Sequence, residues 1–182
     1  MNYLGFFKTF LKDKNIGAIT PTSKYAVKKI CERMDFSKDI VIVEYGPGNG
    51  VFSKFFLEKM SPKSKLIALE TNPDFYKFLQ HIHDPRFFIF HDTAENIQQI
   101  LEQCHVSHAN YVVSGIPFSF FTPELRQNIV AHTWESLTKN GKFLVYQYSL
   151  LMTKELEKRF ERVHTDITVL NIPPIFIMEA TK

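Results

Sequence analysis

The sequence predicts an α/β fold with a mostly parallel seven-stranded sheet that contains one antiparallel strand. Short β-branched runs alternate with longer apolar patterns of helical period, which is typical of a parallel sheet covered by helices. The last two runs, 163–170 and 175–180, are separated only by a short proline-containing connection, so this hairpin would bring in the antiparallel strand. With 182 residues the chain fits one domain, 1–182, with a sizeable core.

The first strand, 40–45, leads into a turn with glycine at every second position. The strand is rich in β-branched residues and too short for a helix, and it is followed by Gly46, Gly48 and Gly50. The apolar pattern after Gly50 predicts a helix. Strand, glycine turn and helix form the first half of a βαβ nucleotide-type site, because glycines permit a sharp turn and let a ligand approach the backbone.

The spacing of the glycines narrows the choice of ligand. A dinucleotide fingerprint needs a glycine three residues after Gly48, where this chain has Val51, and a P-loop needs a Lys-Ser/Thr pair that is missing here. The second strand, 65–70, ends in Glu70, twenty residues after Gly50. A carboxylate at the end of a second strand is placed to accept hydrogen bonds from both hydroxyls of a ribose.

Three residue pairs combine an N-cap with proline at the first helical position: Thr20-Pro21, Asn72-Pro73 and Thr122-Pro123. The third of these helices is expected to run to about Lys139 and to stop at Gly141. The buried face of the first helix is predicted to consist of Ala26, Val27, Ile30, Cys31 and Met34. The remaining elements are predicted as strands over 87–91, 110–118 and 142–149, and as helices over about 73–82, from 92 or 93 to about 104, and over 153–160.

The N-terminal segment, residues 1–33, carries the basic excess of the chain. It has seven lysines and arginines against two acids, a net charge of +5, whereas the whole chain has +3. Residues 3–14 have an amphipathic helical pattern with aromatic side chains on one side. We expect this helix either to dock on the core or to lie in an anionic membrane surface. Because the charge is local, a broad nucleic-acid face is not expected.

Composition sets further bounds on the protein. No apolar run is long enough to span a bilayer and no signal peptide is visible, so we expect a cytoplasmic protein, at most peripheral to the inner face of the membrane. Cys31 and Cys104 form no metal-type pair and are expected to be reduced and structural. His81 and His83 are two residues apart and would not share a helix face, so no metal site is predicted.

The pattern Glu44-x-Gly46-x-Gly48-x-Gly50 resembles motif I of the class I S-adenosylmethionine-dependent methyltransferases. The resemblance implies a Rossmann-like fold with S-adenosyl-L-methionine as cofactor. It also implies that the acid after the third strand, or its neighbour, meets the adenine amine. The cofactor-binding residues expected on this basis are Glu44, Tyr45, Gly46, Gly48, Gly50, Glu70, Thr71, Asp92, Thr93, Ala94, Ser114 and Gly115.

Three further segments, 17–23, 113–117 and 170–174, resemble the bacterial phospholipid N-methyltransferases, which methylate phosphatidylethanolamine towards phosphatidylcholine. The resemblance implies a phospholipid or other amine as substrate. Residues expected at the acceptor pocket are Ser114, Tyr146 and Tyr148. In one departure, the family tends to carry Gln-Phe-Thr-Tyr after strand five, whereas this chain has Leu150 at the last position. Tyr148 or Tyr146 would then supply the missing hydroxyl, or the substrate would differ.

A second resemblance is to the ribosomal RNA adenine dimethyltransferases. Residues 115–118 keep the last three positions of their Asn-Leu/Ile-Pro-Tyr/Phe signature, but Gly115 replaces the asparagine that receives the exocyclic amine. A second basic domain that would hold RNA is also missing from the sequence. The sequence is also compatible with a small-amine methyltransferase, and with a family member that binds the cofactor or a lipid surface without turnover.

Overall fold

The computed structural model describes residues 24–168 and 174–182. In these ranges seven strands form one sheet, with helices on both faces. The strands are β1 Val41–Tyr45, β2 Lys65–Leu69, β3 Phe87–Phe90, β4 Ala109–Ser114, β5 Leu137–Gln147, β6 Arg162–Thr168 and β7 Ile175–Thr181. The helices are α1 Lys24–Cys31, α2 Val51–Lys59, α3 Pro73–Leu79, α4 Ile97–Gln103, α5 Pro123–Ser136 and α6 Leu151–Glu157, with 3₁₀ turns at Ala94–Asn96 and Phe118–Phe120.

The strand order is β3-β2-β1-β4-β5-β7-β6, and it reverses direction between β1 and β4. All strand pairs from β3 to β5 are parallel, so the carboxyl ends of these strands lie at one edge of the sheet. β7 is antiparallel to both β5 and β6, which confirms the predicted hairpin and its antiparallel strand. In open parallel sheets, ligands bind at the carboxyl edge where the strand order reverses.

The sheet buries a separate apolar cluster on each face. On one face β1 contributes Val43 and Tyr45 to a cluster that includes residues of α4, α5 and α6. On the other face Ile42 packs with residues of α1 and α2. Because side chains alternate along a strand, neighbouring residues of β1 belong to opposite layers. The same alternation places Glu44 and Tyr45, the last two residues of β1, on opposite faces of the sheet.

Helix α1 is packed against the sheet by its apolar face and by ion pairs. The five residues predicted for its buried face and the turn after it are buried, as expected: Ala26, Val27, Ile30, Cys31 and Met34. Arg33 pairs with Asp166 of β6 at 2.9 Å and with Glu179 of β7 at 3.3 Å. The Lys142 ammonium donates to the Arg33 carbonyl at 3.0 Å. The amphipathic pattern over 3–14 and the Thr20-Pro21 cap lie outside the described residues.

The prediction for the end of α5 is wrong. The helix ends at Ser136, and β5 begins at Leu137, which pairs with Ala109 of β4. The next paired residue of β5 is Lys142, opposite Tyr111, so the intervening residues form a bulge in which Asn140 has a positive φ of 62°. Gly141 therefore lies inside this bulge instead of stopping a helix. Sheet pairing outweighs the local stop signal here.

Other predicted boundaries are shifted by a few residues. β3 ends at Phe90 and β4 at Ser114, both earlier than expected, because the chain turns away from the sheet before the polar and Gly-Pro segments. A 3₁₀ turn precedes α4, so this helix begins at Ile97 and not at residue 92 or 93. α3 ends at Leu79, and α6 spans Leu151–Glu157 where 153–160 was predicted.

Candidate functional site

The glycine turn after β1 is built from three residues in the left-handed region. Gly46, Gly48 and Gly50 have φ angles of 65°, 57° and 74°. A Cβ at Gly46 would lie 2.6 Å from Ile116, and one at Gly50 would lie 2.7 Å from Leu79. At Gly48, by contrast, no described atom lies within 4 Å of an added Cβ. Two of the glycines are thus demanded by packing within the protein, while the middle one borders open space that a ligand can enter.

Glu70 is held beside this turn by two backbone N–H groups. Its side chain is almost fully buried, at 3% exposure. One carboxylate oxygen accepts from Gly48 N at 3.0 Å, and the other accepts from Asn72 N at 2.8 Å. Burial raises the pKa of Glu70, and the backbone hydrogen bonds from Asn72 and Gly48 oppose that rise. The carboxylate therefore has a fixed position at the end of β2 before any ligand binds.

Glu44 is a second buried carboxyl at the same turn, with 1% exposure. Its Oε2 accepts from Ser53 Oγ at 2.6 Å, while its Oε1 is buried without a hydrogen-bond partner among the described residues. Burial and, to a smaller extent, the nearby Glu70 together raise the pKa of Glu44 to about 7, against the opposing effect of the Ser53 hydrogen bond. A buried oxygen without a partner is costly, so this site favours a ligand that brings a donor or a positive charge.

The predicted residues after β2 and β3 form the edge of the site beyond Glu70. Asp92 Oδ1 accepts from Thr93 N and from Asn96 Nδ2, each at 2.7 Å. Ala94 is buried, while Thr93 is exposed and makes no side-chain cap. Asp92 thus stabilises the 3₁₀ turn, and the cap predicted at Asp92 or Thr93 is a local turn and not the start of α4.

A histidine and a tyrosine beside these residues were not predicted. The Thr71 carbonyl lies 3.1 Å from His91 Nε2. The imidazole ring in turn stacks on Tyr76 with ring centroids 5.1 Å apart. This stack joins the end of β3 to α3. No sequence motif points to it, because the two residues are distant along the chain and meet only when α3 packs beside β3.

The residues expected at the acceptor pocket come together at the ends of β4 and β5. Ser114 is fully buried and pairs with Val145 in the parallel register, so Gly115 and Tyr146 are the next neighbours across the two strands. A Cβ at Gly115 would overlap the Tyr146 hydroxyl and would lie 2.8 Å from Cε2 of that ring. Tyr148 is exposed. Tyr146 also stacks on Phe52 at 4.6 Å, so it connects the acceptor side to the helix after the glycine turn.

One predicted residue directs its side chain away from this edge. The Tyr45 hydroxyl lies 2.9 Å from Thr133 Oγ1 of α5, and the ring is fully buried in the core. Only its backbone takes part in the turn, where its carbonyl accepts from Gly115 N at 3.4 Å. Glu44 and Tyr45 belong to opposite faces of β1, so the alternation of the strand sends the carboxyl to the site and the phenol to the core.

The fold, the reversal of strand order beside a glycine turn, and the carboxylates at the ends of β1 and β2 define a class I S-adenosylmethionine-dependent methyltransferase. The residues present fit this cofactor. Among the described residues, Gly48 borders open space, Glu70 offers a carboxylate held by two backbone N–H groups, and one oxygen of Glu44 has no hydrogen-bond partner and could face a cationic ligand. Residues 21–159, more than half of the chain, match the ribosomal RNA adenine dimethylase family, so the chain belongs to that family.

Individual relatives agree with this class. An ornithine lipid N-methyltransferase from Singulisphaera acidiphila is 25% identical over 175 residues, which are 94% of this chain and 91% of the relative. Magnesium protoporphyrin IX methyltransferase from Synechocystis, solved with bound S-adenosylmethionine, has a TM-score of 0.73 at 8% identity and covers 100% of this chain and 98% of its own. The N-methyltransferase NodS from Bradyrhizobium japonicum has a TM-score of 0.72 at 7% identity, with 91% and 98% covered.

The described ranges contain neither a helix that could cross a membrane nor a cluster of metal-binding side chains. Over 24–168 and 174–182, no helix has the length and apolar character needed to cross a bilayer. The same ranges contain no group of three or more His, Cys, Asp or Glu side chains arranged to hold a metal ion. Cys31 and Cys104 are both free and buried.

Proposed function

We propose that this methyltransferase transfers the methyl group to an amine on a lipid head group. The observation that carries the proposal is a set of exposed apolar side chains that follow the carboxyl ends of β4 and β5. We call this set the apolar rim, and its members are Phe120, Tyr148, Leu150 and Leu151. A head group that enters the site from a bilayer would keep its acyl chains beside these residues. The similarity to an ornithine lipid N-methyltransferase supports the same substrate class.

The cofactor is proposed to lie along the carboxyl ends of β1, β2 and β4. Glu70 would accept hydrogen bonds from the ribose hydroxyls, and the segment Asp92–Ala94 would border the adenine. The orphan oxygen of Glu44 would face the cationic end of the cofactor. Gly48, Thr71, Ser114 and Gly115 would form the backbone walls, and Tyr45 would contribute only its main chain.

When bound, the cofactor would supply an electrophilic methyl carbon on a positively charged sulfur, and the sulfur would keep the C–S electron pair when an amine nitrogen takes the methyl group. The protein must therefore hold a neutral amine in line with that carbon and exclude water. An ammonium has no lone pair and cannot attack, so the head group loses a proton to solvent before the transfer. Acceptor-side residues proposed for this positioning are Ser114, Tyr146 and Tyr148.

A base of ribosomal RNA is the second candidate acceptor, because the chain belongs to the ribosomal RNA adenine dimethylase family. Enzymes that act on a nucleobase extrude it and stack it between apolar or aromatic side chains. The first aromatic residue after β4, Phe118, is fully buried, with edge contacts to Phe121 and Phe143. Because the Phe118 ring already packs against other aromatic rings in the core, it does not offer a face on which a base could stack. The geometry therefore favours the lipid amine.

A comparison of acceptor pools tests the proposal. The purified protein is incubated with S-adenosylmethionine labelled in its methyl group and, separately, with ethanolamine- or ornithine-lipid vesicles, ribosomal RNA, or small amines. We expect the label in the lipid amine, and Glu70→Ala serves as the cofactor-deficient control. Label confined to RNA would favour the second candidate. Cofactor binding without label in any pool would favour a protein that binds without turnover.

We also expect residues 1–33 to bind anionic membranes reversibly. In this proposal the segment is part of a single domain, 1–182. Part of this segment is already engaged, since the apolar face of α1 is buried and Arg33 pairs with Asp166 and Glu179. Each basic residue near an anionic surface contributes about 1 kcal/mol, and salt weakens this attraction. The membrane contact would therefore come mainly from the residues before α1.

Deletion of residues 1–13 tests the membrane contact. The truncated protein should keep its melting temperature and its cofactor affinity but no longer sediment with anionic liposomes at low salt. Neutral liposomes are the matched control for the full-length protein. A truncated protein that melts far lower would instead mean that the segment belongs to the core. Full-length protein that stays in the supernatant with anionic liposomes would contradict the proposal.

A further inference from the structure

The geometry points to Tyr146 and Gly115 as one unit that distinguishes acceptor nitrogens by the number of hydrogens they carry. This inference rests on the proposed amine acceptor. In this unit the missing side chain at Gly115 makes room for the Tyr146 phenol, and the phenol oxygen accepts an N–H from the amine. The unit would favour nitrogens that still carry hydrogen. It would therefore set how many methyl groups are added efficiently.

The position of the phenol is fixed from two sides. Gly115 and Tyr146 directly follow the paired residues Ser114 and Val145, and any Cβ at position 115 would overlap the hydroxyl. The ring stacks on Phe52 of α2 with centroids 4.6 Å apart. Since α2 follows the glycine turn, the phenol lies between the element that borders the cofactor and the strand end that borders the acceptor. The reacting nitrogen would therefore lie beside the phenol.

The phenol oxygen also has the right protonation state. Burial raises the pKa of Tyr146 well above that of an ordinary tyrosine, and the nearby Glu44 and Tyr148 raise it further. The hydroxyl therefore stays neutral at physiological pH. A neutral hydroxyl has acceptor lone pairs as well as one O–H donor, so it can accept an amine N–H without losing its own proton.

In stepwise methylation, this contact depends on how many N–H bonds the acceptor nitrogen still has. A neutral primary amine has two N–H bonds, a secondary amine has one and a tertiary amine has none. As the C–N bond forms, positive charge develops on nitrogen and any remaining N–H becomes a stronger donor to the phenol. The interaction therefore strengthens in the transition state, which is the condition for raising the rate. It is present in the first and second transfers and absent from the third.

The first test follows each methyl transfer separately with Tyr146→Phe, using synthetic mono- and dimethylated ethanolamine lipids beside the unmethylated lipid. One lost hydrogen bond corresponds to a roughly three- to tenfold fall in rate. We expect that fall for the first and second transfers and an unchanged rate for the third. Cofactor affinity, measured by titration calorimetry, should stay unchanged. Equal effects on all three transfers, or no effect on any, would overturn the inference.

The second test examines the coupling between the two positions through folding. Gly115→Ala should lower the melting temperature, because its Cβ meets the phenol. The same change in a Tyr146→Ala background should have little further effect, since the ring that it meets is gone. Gly115→Ala as stable as the wild type, or equally destabilising in both backgrounds, would contradict the paired unit.

The outcomes separate this inference from the proposed function. If the wild type transfers no label to any amine lipid, both fail together. If the wild type labels the lipid and Tyr146→Phe does so with the same ratio of third to first transfer, only the inference fails. The melting-temperature test needs no substrate and reports on the paired unit in either case.

Discussion

The two halves of the candidate site are built by different means. On the cofactor side, backbone groups and buried carboxyls hold one another: Glu70 accepts from Gly48 N and Asn72 N, and Glu44 accepts from Ser53. On the acceptor side, aromatic rings pack against backbone, as Tyr146 does against Gly115 and Phe52. The first half is polar and held by hydrogen bonds before a ligand arrives, and the second is apolar and shaped by packing.

This difference indicates how substitutions should divide between the two halves. A change on the cofactor side removes a fixed charge or fills the ligand's space, so it should act on binding. A change on the acceptor side alters one contact of a nitrogen that proximity already holds in place, so its effect on rate should be modest. Four substitutions test this contrast between the two halves of the site.

The largest effect is expected for Gly48→Val, which should abolish cofactor binding. Its side chain would enter the open space beside the turn, where no described atom lies within 4 Å. Gly50→Val is the matched control, since it has a similar positive φ but meets Leu79 at 2.7 Å. Calorimetry and thermal melting should show lost binding for Gly48→Val and lost stability chiefly for Gly50→Val. Normal affinity in a folded Gly48→Val would remove this glycine from the ligand's path.

Glu70→Ala should weaken cofactor binding at least tenfold, the next largest effect. Hydrogen bonds to a charged group contribute about 1.5–3 kcal/mol each, and the proposed ribose contact would depend on this carboxylate. Asp74→Ala removes a carboxylate from the exposed start of α3 and is the control. Titration calorimetry on both folded variants checks the prediction. If the two variants bind the cofactor equally well, Glu70 is not a ligand.

Glu44→Gln should change how stability depends on pH. The folded protein raises the pKa of Glu44 from 4.5 to about 7, so between these values it binds more protons than the unfolded chain. The contribution of Glu44 to stability therefore falls as the pH rises through this window. We therefore compare the free energy of unfolding of Glu44→Gln with that of the wild type. The difference should shift in favour of the variant by at least about 1 kcal/mol between pH 4.5 and pH 8. Denaturant unfolding at both pH values measures the difference, and parallel pH profiles would refute it.

The smallest effect is expected for Tyr148→Phe on the acceptor side. The ring is exposed, and the substitution removes only its hydroxyl. The rate of methyl transfer should change by no more than about tenfold, since a single neutral hydrogen bond contributes at most about 1.5 kcal/mol and proximity supplies most of the rate. Steady-state kinetics with the lipid substrate checks this. A loss of a hundredfold would make the two halves of the site equally demanding.

Much of the cofactor side could be predicted from the sequence because its signals are local. A strand followed by glycines at alternate positions specifies the turn, and a carboxylate at the end of the next strand lies beside it in any parallel sheet. The apolar face of α1 and the antiparallel hairpin were also predictable, since both follow from the spacing of apolar residues. The end of α5 was not, because the pairing of Leu137 with Ala109 outweighs the stop signal at Gly141.

Local sequence signals were enough to predict the class of fold and the cofactor, because backbone conformation and periodicity act over a few residues. Three features depend on tertiary packing instead: Tyr45 belongs to the core, one oxygen of Glu44 has no hydrogen-bond partner within the described ranges, and Tyr146 lies on Gly115. These facts depend on which face of a strand a residue occupies and on which strands become neighbours. Both are settled by packing of the whole sheet, where residues distant along the chain compete for the same buried space.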